Sequence, residues 1–216
     1  YDEYRDILKR FTLKFEQQDF PIIALGTKEN TLDNLTAAYN MIASKGQSIP
    51  ATTILSIENS EGEVIYEYEQ PKNKQVISEE DAFLLTDMMT GMFDATLSDY
   101  SPATGLSIRP KMTHTYAGKS GTTNTDQWMI GYTPTLTAGV WNGYDQGKTL
   151  TTQTDLAATK RIWIDFMESV LAGTKKQTFE VPDGVEGVLI DIETGKLATD
   201  LCEKQRFVYV KSEDVP

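Results

Sequence analysis

The sequence predicts a mixed fold of the α/β class, α+β in arrangement, with helices and turn-linked strand pairs. Three observations lead to it. Four segments carry apolar residues at helical spacing. Between and after them lie β-prone runs joined by turns rich in Gly, Ser and Pro. The chain has 216 residues, 39% apolar and 24% charged, which suits one folded domain with a small appendage and excludes wholesale disorder.

The elements follow in order. Tyr4, Ile7, Leu8 and Phe11 stand at i, i+3, i+4 and i+7 and predict a short amphipathic helix over residues 4–11. A second helix runs from about Thr31 to Lys45. Its stripe is Leu32, Leu35, Ala38, Tyr39 and Ile42, with Thr31 as N-cap and Gly46 at the C′ position. Residues 53–57 and 64–68 read as strands around a Ser60-Glu61-Gly62 turn. Residues 70–77 are polar. Ser78 then caps a third helix, with Asp81 three residues on. Its apolar set is Phe83, Leu84, Leu85, Met88, Met89, Met92 and Phe93. Methionines also suit an adaptable groove, but core packing at helical spacing is the simpler reading.

Residues 94–118 read as loop. Residues 127–132 and 137–144 are strands joined by Thr133-Pro134-Thr135-Leu136. Asp155 caps the last long helix, whose stripe is Leu156, Thr159, Ile162, Trp163, Phe166, Met167, Val170 and Leu171, ended by Gly173. Lys175 and Lys176 lie favourably at its negative end. Beyond residue 177, strands over 185–192 and 207–210 predict a small β-rich extension. The domain reading is therefore 1–177 for the main unit and 178–216 for the extension.

Charge removes several functions. Twenty basic against 32 acidic residues give a net charge of −12, which argues against nucleic acid and against anionic lipid surfaces. No apolar run approaches the roughly 20 residues that span a bilayer. The opening Tyr1-Asp-Glu-Tyr-Arg has no apolar signal-peptide core. The single Cys202 excludes an internal disulfide framework and a multi-Cys metal site. The single His114 weakens any His-based metal centre or Ser-His-Asp triad. No metal or other cofactor is expected.

One string carries chemistry: Lys119-Ser120-Gly121-Thr122-Thr123. On an edge strand Lys119 and Gly121 face one way, Ser120 and Thr122 the other, and twist aligns them along one rim. Gly121 lets a ligand approach the backbone. Free backbone N–H groups there can pair with an extended peptide or an oxyanion. Lys119 offers a compact positive charge, and the hydroxyls of Ser120 and Thr122 can donate to a carboxylate. A phosphate loop is excluded, because Thr113 stands where its first glycine would be.

The run Ala117-Gly-Lys-Ser-Gly-Thr-Thr-Asn-Thr-Asp-Gln-Trp-Met-Ile-Gly-Tyr-Thr-Pro-Thr-Leu-Thr-Ala-Gly-Val-Trp-Asn-Gly-Tyr144 closely resembles the third motif region of class A, bifunctional penicillin-binding proteins. The segment from Ala24-Leu-Gly-Thr through Ala37-Ala38-Tyr39 to Gly46 is similar to the stretch that precedes it in those transpeptidase domains. Thr104-Gly105 looks like the remnant of their Gly-Thr-Gly loop. The resemblance covers roughly residues 20–175, and the tail from Pro182 to Cys202 resembles the β extension that often follows.

The resemblance implies a β-lactamase/transpeptidase-like fold, a five-stranded antiparallel sheet between helices. It implies serine acyl transfer on the D-Ala-D-Ala end of peptidoglycan stem peptides, a reaction β-lactams trap. By resemblance Lys119 and Thr122 are catalytic. Lys119 serves carboxylate binding and the proton network, and the Thr122 N–H supplies half an oxyanion hole. Ser120, Gly121, Thr122 and Thr123 form the substrate-binding run. Location would be the extracytoplasmic face of the bacterial membrane, through an N-terminal anchor outside this chain, with a glycosyltransferase domain also upstream.

Two departures qualify this. The motif has Ser120 where the group usually has Thr, which keeps the hydroxyl. More importantly, no serine of the chain has Lys at +3 or Asn at +2; Ser44, Ser98, Ser101 and Ser169 are followed at +3 by Gln47, Ser101, Thr104 and Ala172. The nucleophilic Ser-x-x-Lys and the Ser-x-Asn motif are therefore expected on an upstream part of the same protein, and the chain alone is expected to be inactive.

A serine β-lactamase is disfavoured by the long tail and the Gly-Tyr-Thr-Pro…Val-Trp-Asn-Gly hairpin. A non-catalytic β-lactam sensor or wall-peptide-binding module is the alternative from another class. The remaining candidates have plainer readings. His114 and Cys202 read as structural, Asp126 and Asp145 as solvated turn carboxylates, Glu79-Glu80-Asp81 as a helix start, and Trp128 and Trp141 as packing residues.

Overall fold

The computed structural model describes residues 2–14, 16, 21–26, 28–97 and 101–216. Thr27 and Ser98, named above, lie outside the described residues, as do the side chains of Asp155 and Leu156. The helices are α1 (Asp2–Arg10), α2 (Leu32–Ala43), α3 (Glu79–Thr90) and α4 (Gln153–Leu171). The strands are β1 (Gln47–Ser48), β2 (Ser56–Glu58), β3 (Val64–Glu67), β4 (Lys74–Gln75), β5 (Ala117–Thr122), β6 (Asp126–Tyr132), β7 (Thr137–Gly143), β8 (Val185–Asp191) and β9 (Gln205–Lys211).

The centre is the antiparallel sheet β5-β6-β7. Strand alternation gives it two faces. Ala117 and Tyr132 face α2 and α3, where they meet Ala38, Met41, Ile42 and Ala82. Met129 and Ala138 face α4, where Trp163, Ile164 and Met167 lie fully buried. Phe93 stacks on Trp163 at 6.3 Å, and Tyr116 meets the same ring edge-on at 5.3 Å. Each such buried side chain contributes about 1.5–3 kcal/mol of transfer free energy. The order is thus helices, sheet, helix.

Two glycines let the layers close. A Cβ at Gly131 would stand 2.5 Å from the Trp163 ring, and one at Gly139 would stand 2.3 Å from the Thr36 hydroxyl oxygen of α2. These positions lie on opposite faces of neighbouring strands, since Gly131 pairs with Ala138 and Gly139 with Ile130. The Trp163 indole N–H donates to the Ala138 carbonyl at 3.0 Å. A buried hydroxyl pair ties α3 to the sheet: Tyr132 and Thr86 are 2.8 Å apart, and Thr86 donates to the Ala82 carbonyl at 2.7 Å.

Helix termini follow the sequence signals in part. The Ser78 hydroxyl accepts from the Asp81 N–H at 3.0 Å, as its position predicts. Gly46 has φ +79 and its N–H closes on the Met41 carbonyl. Thr31 is the N-cap of α2 but makes no side-chain cap bond. The last helix begins at Gln153, so Asp155 lies in its first turn rather than at the cap.

Several expectations are corrected. In α4 the residues Ile162, Phe166 and Val170 are exposed, and Ile164, outside the stripe, is buried. The stripe spans two rows about 100° apart, and of these the row of Thr159, Trp163 and Met167 is the buried one, with Ile164 beside it. In α3 Leu85 and Met88 are exposed, while Ala82 and Thr86 are buried. The 53–57 strand begins later, at Ser56, and every residue of β2 and β3 is exposed. Residues 47–48 and 74–75 form a short ladder that polar composition hid. The fold class is as expected, but the central sheet of this chain has three strands among the described residues rather than five. The further strands pair separately, as β1-β4, β2-β3 and β8-β9.

Beyond α4 the chain turns at Gly184, φ +83, into the β8–β9 hairpin. It rests on α3 through Phe83 and Tyr209, edge-on at 5.1 Å, and through Lys211 with Asp81 at 2.7 Å.

Candidate functional site

The Lys119 string forms β5 itself. Among the described residues this strand pairs with β6 on one side only, which leaves its outer backbone edge open there. Register fixes the faces. Lys119 and Gly121 oppose Ile130 and Trp128, whereas Ser120 and Thr122 oppose Met129 and Gln127. Lys119 and Thr122 are exposed, and Ser120 and Gly121 are half-buried. The rim thus lies on the surface rather than in the core.

Each side chain has a definite partner. The Lys119 ammonium donates to the Ser120 carbonyl at 2.7 Å. The Ser120 hydroxyl donates to the Thr104 hydroxyl at 3.1 Å, which brings the Thr104-Gly105 turn to the rim. The Thr122 hydroxyl donates to the Gln127 side-chain carbonyl at 3.3 Å. Thr123 lies past the end of the strand. Its hydroxyl accepts from the N–H groups of Thr125 and Asp126, at 3.1 and 2.9 Å, and donates to the Asp126 carboxylate. It locks the hairpin turn.

The Thr104-Gly105 turn is pinned from beneath. Gly105 donates to the Met92 carbonyl at 2.9 Å, and a Cβ there would stand 2.4 Å from the Phe93 ring. Arg109 donates to the Phe93 carbonyl. From α4, Lys160 donates to the Thr104 carbonyl at 2.6 Å. Burial holds the Lys160 ammonium below the usual lysine range, and the Lys119 charge adds to the shift. Sequence reasoning missed Lys160, because it sits 41 positions along the chain from Lys119 in an ordinary helical pattern.

The approach to β5 is anchored to α4 as well. Glu168 accepts from the Tyr116 hydroxyl at 2.6 Å, from the Thr113 N–H at 2.9 Å and from the Thr113 hydroxyl. Burial raises the Glu168 carboxyl, but these hydrogen bonds outweigh it and leave the group below the usual range. Burial and the facing carboxylate push the Tyr116 phenol up.

The other candidates are away from the rim or structural. His114 hydrogen-bonds Thr113 and Thr174 at 2.9 and 3.2 Å and packs on Tyr116. Cys202 is half-buried, with its sulfur accepting from the Thr199 N–H. Asp145 is exposed, but Asp126 does more than face water. Its carboxylate takes hydrogen bonds from Thr125, Trp141 and Thr123, which hold it below the usual carboxylate range. Trp128 and Trp141 pack on each other at 6.4 Å. Two clefts of about 670 and 620 Å³, lined by residues such as Leu13 and Lys28, and Ile42 and Phe179, include no residue of the rim. The candidate site is the exposed ledge of β5.

Comparison with known proteins gives a concordant result. Residues 17–168 match the family model described as penicillin binding protein transpeptidase domain. Penicillin-binding protein 2D of Bacillus subtilis is 42% identical over 201 residues, covering 93% of this chain and 29% of that protein. Penicillin-binding protein 1A of Rickettsia typhi is 31% identical over 220 residues, covering 90% of this chain and 27% of that protein. The chain thus spans under a third of the length of these relatives. Among solved structures, penicillin-binding protein 1A from Haemophilus influenzae matches with a TM-score of 0.84 at 21% identity, over 97% of this chain and 36% of that one. PonA1 from Mycobacterium tuberculosis, in complex with penicillin V, matches with a TM-score of 0.62 at 26% identity, over 74% of this chain and 43% of that one.

Proposed function

We propose that this chain, which belongs to the penicillin-binding protein transpeptidase family, supplies the carboxylate-binding and oxyanion rim of a D,D-transpeptidase whose nucleophilic serine stands on an upstream part of the same protein. The observation that carries the reading is the open edge of β5, with Lys119 exposed and a hydroxyl on each side of Gly121.

The chemistry follows from that edge. A stem peptide ending in D-Ala-D-Ala lies antiparallel along β5, its backbone filling the unpaired edge. Its terminal carboxylate meets the hydroxyls of Ser120 and Thr122 and the Lys119 ammonium. Lys119 leaves the Ser120 carbonyl to do so, exchanging a neutral acceptor for a charged one, which is the stronger bond. The serine oxygen attacks the penultimate carbonyl, and the Thr122 N–H and the serine's own N–H hold the oxyanion. The C–N bond breaks, D-Ala leaves with a proton, and an amine from a neighbouring stem takes the acyl group and regenerates the serine. A β-lactam follows the first half of this path and stops at the acyl-enzyme. Losing one oxyanion donor costs about 10²–10³ in rate, so the rim is essential without being the nucleophile.

The same reading assigns residues 1–177 to the transpeptidase unit and 178–216 to a small β-rich extension. It places the protein at the extracytoplasmic face of the cell membrane, acting on peptidoglycan. Among the described residues no helix is long and apolar enough to cross a membrane.

A fluorescent penicillin tests the reading. The complete protein is labelled, and the 216-residue chain alone is not. Lys119→Ala in the complete protein lowers the acylation rate by orders of magnitude with the melting temperature nearly unchanged. Labelling of the chain alone would reveal a nucleophile within it. Normal acylation with a large loss of stability would make Lys119 structural. A complete protein that binds penicillin reversibly without acylation would be a sensor.

A further inference from the structure

Lys119 and Lys160 are held in the same way at the rim. The chain is strongly acidic, and Lys45, Lys111 and Lys211 all have carboxylate partners. Neither Lys119 nor Lys160 has one among the described residues; each donates to a backbone carbonyl instead, of Ser120 and of Thr104. Lys160 is moreover half-buried on α4, where an ammonium without a counter-charge is costly. The two carbonyls belong to the two residues whose hydroxyls are joined, Ser120 and Thr104. Two cations therefore bracket a hydroxyl pair, with no anion supplied by the described part of the chain. That is the donor set of a carboxylate site: two positive charges and two O–H groups.

We infer that Lys160 is a positioning and specificity residue of the ledge, holding the Thr104 carbonyl so that the Thr104 hydroxyl stands against Ser120, and adding a second positive charge that selects ligands bearing a terminal carboxylate. The inference rests on reading the ledge as a carboxylate site. It adds a contribution from outside the Lys119 string. The path is short and continuous: α4 to the Thr104 carbonyl, through one residue to its hydroxyl, and from there to Ser120. Gly105 and Phe93 hold the other side of the turn, so Lys160 acts against a fixed support. An arriving carboxylate relieves the repulsion between the two ammoniums as it binds, whereas a neutral ligand does not.

The test compares two ligands that differ only in that group. Acylation of the complete protein is measured with benzylpenicillin and with its methyl ester, for the wild type, Lys160→Gln, Lys160→Arg and Thr104→Val. Lys160→Gln slows reaction with the acid by about tenfold or more, the size expected for one charge-assisted hydrogen bond, and leaves the ester rate unchanged. Lys160→Arg restores most of the loss. Thr104→Val keeps the carbonyl, removes the hydroxyl and reproduces the selective loss, which keeps the inference testable if Lys160→Gln folds poorly. Equal slowing of acid and ester, or no slowing, would overturn the role of Lys160 while leaving the transpeptidase reading in place. A wild type acylated by neither ligand would overturn that reading, and the inference with it.

Discussion

Two hairpins in this chain are built with similar local care and have opposite fates. In β2–β3 the Asn59 side chain accepts from the N–H groups of Glu61 and Glu63, and Gly62 takes φ +81. In β5–β6 the Thr123 hydroxyl accepts from Thr125 and Asp126, and the Asp126 carboxylate binds Trp141. Both turns are satisfied locally. Yet β2–β3 exposes Ile57, Val64, Ile65 and Tyr66, while β6 buries Met129, Ile130 and Tyr132. Turn chemistry makes a hairpin; only helices on both faces make one whose atoms are held in place. The candidate site uses the second kind.

Substitutions can break or sharpen that contrast. The largest effect is expected at the layer beneath the ledge. Trp163→Ala removes a fully buried indole and its bond to Ala138, and should cost about 3–5 kcal/mol in urea unfolding. A loss below 1 kcal/mol would mean that α4 does not support the sheet. Next comes the hydroxyl pair on the other face. Thr86→Val leaves the Tyr132 hydroxyl without its acceptor and should cost about 1–3 kcal/mol, most of it recovered in the double variant with Tyr132→Phe. Strict additivity would show that the two hydroxyls are not coupled. The smallest effect belongs to the free hairpin. Ile65→Thr should change global stability by no more than about 0.5 kcal/mol, because the side chain is largely exposed among the described residues. A larger loss would show a packed partner that the contrast overlooks.

The part of the molecule legible in the sequence is the part written in short range. The Ser78 cap, the Gly46 stop, the β6–β7 connection and the edge-strand alternation of Lys119 to Thr122 are local signals, and each was visible. Apolar spacing also found α3 and α4, but it could not say which half of a broad stripe meets the sheet. Leu85, Met88, Ile162 and Phe166 look as buriable as Trp163 until the neighbouring layer is known. The same limit applies to the ledge. Its string was readable because it is contiguous. Most of its support was not: Thr104 is legible only through the family resemblance, and Glu168 and Lys160 arrive from a helix whose sequence carries no sign of the ledge. Thr123 shows the reverse: adjacency put it in the motif, and its hydroxyl serves the turn.

The paired absences of side chain at Gly131 and Gly139 set a mechanical tolerance. At neighbouring points the sheet is only backbone thick, with an indole on one face and the first turn of α2 on the other. A single methyl at either point would act as a shim, prising one helix outward. On the Gly131 side that helix is α4, so the shim would draw the Lys160 ammonium away from the Thr104 carbonyl. The alignment of the reactive rim is gauged one and two strands away from it, by two places where the sequence supplies no side-chain carbon.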